Sequence, residues 1–308
     1  MPPNSTFFKD AAESAFFERE LEFVKSRTYD KVYPEFKARQ FIPPDYSVPV
    51  GAKTVVYQQF DMVGVAKIIS SYADDLPRAD IKGQEFSSPV KTIGSSYAYN
   101  LDEIEAAMMA GTPLEQRKAN AARFACEAEL DRIASSGDAN NNLQGLLGIA
   151  NALAYTVANG ASGSKPWSSK TNAEKLADLG GIVTYIREQT KGAETPDTIL
   201  LPEAQYADIA QAQLSSGVAE TVLSFFLRTN PYIKQVFPWA KLTGAGAGST
   251  DRMVAYKRDP DKLGLVIPLE FEQRPAQERN LEMAVPCRMK TGGVLCYYPL
   301  SVAYGDGI

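Results

Sequence analysis

The sequence predicts an α+β protein whose long extended segments reach beyond their own core. Residues 54–100 form an extended two-limbed excursion with no sustained helical period. A long capped helix follows, from Thr112 to Gly137. From Trp167 to Gly217 helix and strand signals alternate, and the tail is rich in strand patterns.

The elements follow in chain order. Phe7, Phe8, Ala11, Ala12, Ala15, Phe16, Leu21 and Phe23 recur at helical spacing between charged residues, predicting an amphipathic helix over about 7–26. Pro34, Pro43, Pro44 and Pro49 then break regular structure, so the first 45 residues read as an arm with an extended connector. Thr54–Asp61, Ala66–Tyr72 and Ser88–Tyr99 alternate or carry β-branched runs, predicting a hairpin with its tip near 74–85. That tip carries Asp74, Asp75, Arg78, Asp80, Lys82 and Glu85, either as a solvated loop or as a charged contact to an adjacent subunit. Each limb could reach about 60 Å if fully extended. A hairpin that long outruns its own core, which points to a shell- or filament-building protein.

Asn100–Ala110 predicts a short helix closed by Gly111. Thr112-Pro113-Leu114-Glu115 opens the long helix with an N-cap, a first-turn proline and a carboxylate three residues on. Gly137 supplies the left-handed stop, giving a rod of roughly 36 Å. Ala119, Ala122, Cys126, Leu130 and Ile133 form its small-residue stripe, suited to close packing on a sheet. Further helices are predicted over Asn172–Gln189, Glu203–Leu214 and Ala219–Arg228, with strands at Thr198–Pro202 and Tyr232–Leu242. Thr243–Thr250 reads as the flexible tip of a hairpin returning into Asp251–Arg258. Gly264–Phe271, Asn280–Met289 and Gly293–Tyr304 predict sheet packed on the long helix.

Composition excludes several function classes. The chain has 308 residues, is 44% apolar and carries a formal charge of −5, ordinary for a folded protein that holds a substantial core and two lobes. No apolar run reaches the roughly 18 residues of a membrane helix, and the N-terminal residues lack a signal peptide's order, so a cytosol-like compartment is expected. Histidine is absent, which removes Ser-His-Asp and Cys-His pairs and His-ligated zinc. Cys126, Cys287 and Cys296 read as buried reduced thiols, although the spacing allows a bridge between the last two. Strong non-specific nucleic-acid binding is disfavoured by the acidic balance, apart from a local basic patch of Arg252, Lys257 and Arg258.

No motif supports catalytic, cofactor-binding or metal-binding residues. Gly244-Ala-Gly246-Ala-Gly248 lacks the third glycine and following helix of a dinucleotide fingerprint. The Gly160–Pro166 stretch lacks Gly-Lys-Ser/Thr, and Pro166 blocks a helix start, so a phosphate loop is rejected. Glu103, Glu105, Glu127, Glu129 and Asp131 read as solvated helix faces rather than a catalytic pair. Glu129 and Asp131 oppose the helix dipole, which salt links across an interface would explain.

In this order, the segments resemble the major capsid proteins of tailed bacteriophages, the Hong Kong ninety-seven type of fold. The resemblance rests on Phe86–Ile93, Tyr97–Ile104, Gly111–Ala119, Glu129–Asp138, Gly145–Gly148, Pro196–Pro202 and the closing Gly292-Gly293-Val294. It covers roughly residues 50–308. It implies an N-terminal arm at 1–50, an extended E-loop at 51–92 lying over the next subunit, and an α/β A domain at 145–258. A P domain would comprise 93–144 and 259–308, with its spine helix at 113–136. Gly244, Gly246 and Gly248 would then lie near the five- or six-fold axis. Function, by resemblance, is self-assembly as hexamers and pentamers into the icosahedral head of a virion enclosing double-stranded DNA, assembled in the host cytoplasm. Scaffold, portal and decoration proteins are the implied partners, DNA is touched non-specifically, and no membrane is involved. The residues before 51 are too few for a whole scaffolding segment, so a separate scaffold is expected. Some members form Lys–Asn crosslinks; Lys82 lies in the E-loop, but no motif identifies its partners and crosslinking is not carried over. The alternatives are an encapsulin-like cargo shell and a soluble α/β enzyme using carboxylate or lysine chemistry.

Overall fold

The computed structural model describes residues 35–64, 66, 78–110, 116–214 and 220–308. The predicted helix at 7–26, the limb at 67–72 and the Thr112–Glu115 cap lie outside them. Residues 36–308 form one compact unit rather than two separate lobes. The predicted connector before residue 50 is not free of the core. One helical turn, α1 (Ala38–Phe41), buries Ala38 and Phe41, followed by buried Ile42. Phe41 meets Trp239 edge-on at 5.3 Å, and its carbonyl accepts a 2.7 Å hydrogen bond from the Tyr256 hydroxyl. Prolines 43 and 44 keep the backbone extended, but this feeds β1 (Pro44–Asp45) into a sheet.

β2 (Thr54–Val63) and β3 (Asp80–Pro89) then pair antiparallel over their whole length. At Val90 the chain turns into β4 (Lys91–Asn100), which pairs elsewhere, so the predicted single limb 88–99 is split. α2 (Leu101–Ala110) is fully surface-lying, whereas α3 (Gln116–Ser136) buries Ala122, Cys126, Leu130, Ile133 and Ala134 along one stripe. Gly137 ends α3 at φ +76°, its N–H reaching the Ile133 carbonyl. A Cβ on Gly145 would lie 2.3 Å from the Gly137 nitrogen, so two backbones cross there too closely for any side chain.

β5 (Leu153–Thr156) leads to α4 (Asn172–Gln189), started by a capping box of Thr171 and Glu174. β6 (Thr198–Leu201), α5 (Glu203–Gln211), α6 (Val222–Thr229), β7 (Gln235–Pro238) and β8 (Arg252–Tyr256) follow. β7 is shorter than the predicted Tyr232–Leu242 strand. Asn230 folds back to accept the Tyr232 N–H at one end, and a tight turn over 240–242 closes the other. The tail comprises β9 (Leu263–Val266), β10 (Leu269–Gln273), β11 (Gln277–Arg279), β12 (Glu282–Thr291), β13 (Gly293–Cys296) and β14 (Val302–Asp306).

These strands form four sheets. β1-β9-β13 make one, β10-β12-β11 with β4 on β12 another, β5-β14-β8-β6-β7 a third, and β2-β3 the fourth. The five-stranded sheet is buried on both faces, and its period of two separates two cores. Ile199, Leu201, Met253, Ala255 and Ala303 face one core, beneath α4, α5 and α6. Leu200, Val254, Tyr256 and Val302 face the other, which reaches Leu130 and Ala134 of α3. The tail therefore does not stay together as one sheet against α3. β12 and β13 contact α3, but β14 inserts between β5 and β8, so 302–306 belongs to the five-stranded sheet. All three cysteines are free and buried, and burial pushes the Cys296 thiol up to about 12.

Candidate functional site

Among the described elements, the β2–β3 hairpin combines open strand edges with exposed apolar side chains. The two strands pair only with each other among the described strands, so each keeps an open edge. Opposed residues of an antiparallel pair share a face. The register Met62↔Ile81, Phe60↔Gly83 and Val56↔Ser87 therefore gathers Val56, Phe60, Met62 and Ile81 on one side. Met62 is 86% exposed, Phe60 63% and Ile81 62%. The Phe60 ring covers Gly83, where an added Cβ would sit 3.0 Å from Phe60 Cε1. The opposite side carries Asp61, Asp80 and Lys82 distally, and Tyr57 with Phe86 at the base.

The base is fastened to the body. Tyr57 stacks on Phe86 at 5.2 Å and meets Tyr297 edge-on at 4.9 Å. Its hydroxyl donates to the Cys296 carbonyl at 3.4 Å, and burial raises its pKa, keeping the donor proton in place. Ser88 Oγ donates to the Gly292 carbonyl at 3.3 Å. Beside this base runs a groove of about 690 Å³, lined by Pro44, Tyr46, Tyr57, Pro260 and Tyr298 among others. A two-stranded hairpin is marginal alone in water, and among the described residues this one is fastened to the body at its base.

Of the six residues predicted at the tip, Asp74 and Asp75 lie outside the described residues, and Arg78 lies two residues before β3. Asp80, Lys82 and Glu85 are not tip residues. They are ladder residues of β3, opposite Val63, Asp61 and Gln58. Backbone pairing runs through these charged positions as far as Val63 and Asp80, because an edge strand tolerates charge where it meets solvent.

Gly244, Gly246 and Gly248 do not form a flexible hairpin tip. β6 lies between β7 and β8, parallel to one and antiparallel to the other. Gly244 and Gly248 adopt φ +68° and +69°, and the loop between them is pinned. The Gly244 N–H donates to Asp251 Oδ1 at 2.9 Å, Gly246 to the Thr250 carbonyl at 2.7 Å, and Ala247 to Asp306 Oδ2 at 3.0 Å. Asp306 also receives Arg252 Nε at 2.6 Å and Nη2 at 2.9 Å. Burial opposes ionisation of Asp306, but the Arg252 fork and the Ala247 N–H outweigh it and hold its carboxyl below the ordinary range. Arg252 is thereby withdrawn from the predicted basic patch.

The acids on α3 have partners within the chain, which replaces the predicted interface links. Buried Asp131 accepts the Ala38 N–H at 2.9 Å and pairs with Lys241, tying α3 to α1 and to the turn after β7. Glu127 pairs with Arg39 at 3.2 Å and Glu129 with Arg132 at 2.6 Å. Sequence reasoning passed over Met108 and Met109 of α2, which are 79% and 95% exposed, and exposed Leu281. The available signal was a Met-Met pair on a helix with no apolar stripe.

A family model described as Major capsid protein matches residues 64–308. Among solved structures, the capsid of Myoviridae phage XM1 is similar with a TM-score of 0.81 and 17% identity, over 96% of this chain and 100% of that one. The capsid of a native GTA particle gives 0.64 and 10%, over 97% and 99%. A virus-like particle from Pyrococcus furiosus gives 0.54 and 11%, over 87% and 91%. At such identities the likeness is one of fold. No curated protein sequence matches the chain.

Proposed function

The chain belongs to the major capsid protein family, and from that premise we propose that it assembles as hexamers and pentamers into an icosahedral head enclosing phage double-stranded DNA. It is a structural protein of the virion capsid. The observation that carries the proposal is the β2–β3 hairpin, with its open edges and its distal apolar side of Phe60, Met62 and Ile81. Full burial of such side chains is worth roughly 1.5–3 kcal/mol each, so one docked hairpin gains on the order of 5 kcal/mol. Repeated around a closed shell, modest contacts become effectively permanent.

In this reading 1–50 is the arm and 51–90 the E-loop, draped over the next subunit. α3 is the spine of a P domain formed by 91–144 and 259–301, and 145–258 with β14 forms the A domain. The pinned Gly244–Gly248 loop faces the capsomer axis. Scaffold, portal and decoration proteins are its partners, and assembly takes place in the host cytoplasm. The chain's net charge of −5 suits an inner wall that a packaged genome slides along. Neither the cargo-shell nor the enzyme alternative is favoured by the family match.

The test is assembly. Wild-type protein should elute as megadalton particles and show closed shells in negative stain. The double variant Met62→Lys, Ile81→Lys should keep the subunit's melting behaviour and lose the particles. Normal shells from that variant would remove the hairpin from the contact.

A further inference from the structure

Between α4 and α6 lies a cavity of about 240 Å³. Leu176, Gly180, Thr184 and Arg187 line it along one stripe of α4, opposite Phe226 and Tyr232. Gly180 sits mid-helix, where glycine is destabilising relative to alanine. The adjacent Gly181 has a reason: a Cβ there would lie 2.2 Å from the Tyr155 hydroxyl. At Gly180 a Cβ would meet no described atom within 4 Å beyond the backbone of its own helix, so no packing partner in the described chain requires the missing side chain. Arg187 is the second unexplained residue. Its guanidinium stacks on the Tyr232 ring at 4.1 Å, its Nε is sealed from solvent without an acceptor, and no carboxylate among the described residues pairs with it. A partly desolvated cation without a counter-charge is unfavourable until an anion arrives, and a planar fork fits a carboxylate.

We propose that this cavity receives a carboxylate-bearing side chain from a second copy of the chain. The carboxylate meets Arg187 and its aliphatic stem lies over Gly180. The inference rests on the shell reading above. Charge complementarity selects the occupant, because a subunit with 37 acidic and 32 basic residues offers carboxylates in excess. The apolar floor of Leu176, Val183 and Phe226 suits a methylene stem better than a nucleic-acid backbone.

Gly180→Cys places a thiol in the cavity, while the three native cysteines are buried. Its reaction with a maleimide should be at least tenfold slower in assembled particles than in dissociated subunits. Should that variant misfold, Thr184→Cys reports from the exposed rim. Equal rates in both states would overturn the docking. Arg187→Gln should raise the concentration needed for particle formation about tenfold with little change in subunit melting, and Arg187→Lys should recover only part of the loss. An unchanged threshold in Arg187→Gln overturns the carboxylate contact. Protection present in DNA-filled particles but absent from empty ones replaces the second copy with phosphate. Absence of particles from the wild type sinks the shell reading itself, which distinguishes that failure from the others.

Discussion

Asp306 shows how one carboxylate can hold several segments in place. It binds Arg252 from the neighbouring strand and caps the Ala247 turn, so it links β14, β8 and the glycine loop. Its carboxyl is held below the ordinary range, so the unfolded chain binds the proton more readily than the native one. The resulting stability is present above the unfolded value of about 3.9 and is lost as pH falls through the folded value. Asp306→Asn should therefore cost about 1–3 kcal/mol at neutral pH, and its deficit against the wild type should shrink at about pH 3. Urea melts at the two pH values measure this, and a deficit independent of pH would show that ionisation is not what matters. Neither partner was identifiable in sequence, because Arg252 and Asp306 are far apart and only strand pairing brings them together.

At the scale of elements, α3 and its packing partners give the clearest prediction. Ala122 is buried where α3 crosses the sheet containing β4 and β12. Ala122→Leu should overfill that crossing and destabilise the subunit by about 1–3 kcal/mol, read as a lower denaturation midpoint. Elements governed by local chemistry were legible in the sequence. Gly137 marked the end of α3, and the period of Leu179, Ile182, Val183 and Ile186 marked α4. Elements governed by distant partners were less so. The Tyr232–Leu242 strand shrank to four residues, since β7 is as long as its pairing with β6. Residues 80–85 were assigned to the hairpin tip because they read as polar loop until a facing strand gives them a register. Of the candidate site, charge was visible at once, whereas the exposed apolar side of Phe60, Met62 and Ile81 appears only once that register is known.

At the scale of the whole molecule, the five-stranded sheet decides how the subunit behaves. One wall serves two cores, so neither can melt without exposing the other. Dissociated subunits should therefore unfold in a single transition with equal calorimetric and van't Hoff enthalpies. Two resolved transitions would mean that the cores are independent. The position of β14 has a further consequence, for timing. Among the described strands, β5 at residues 153–156 joins the sheet only through a strand that begins at residue 302. At roughly 5–20 residues per second, a ribosome leaves that place vacant for on the order of ten seconds. A half-translated chain thus cannot finish its architecture, and nascent subunits are kept out of construction until residues 302–306 have emerged.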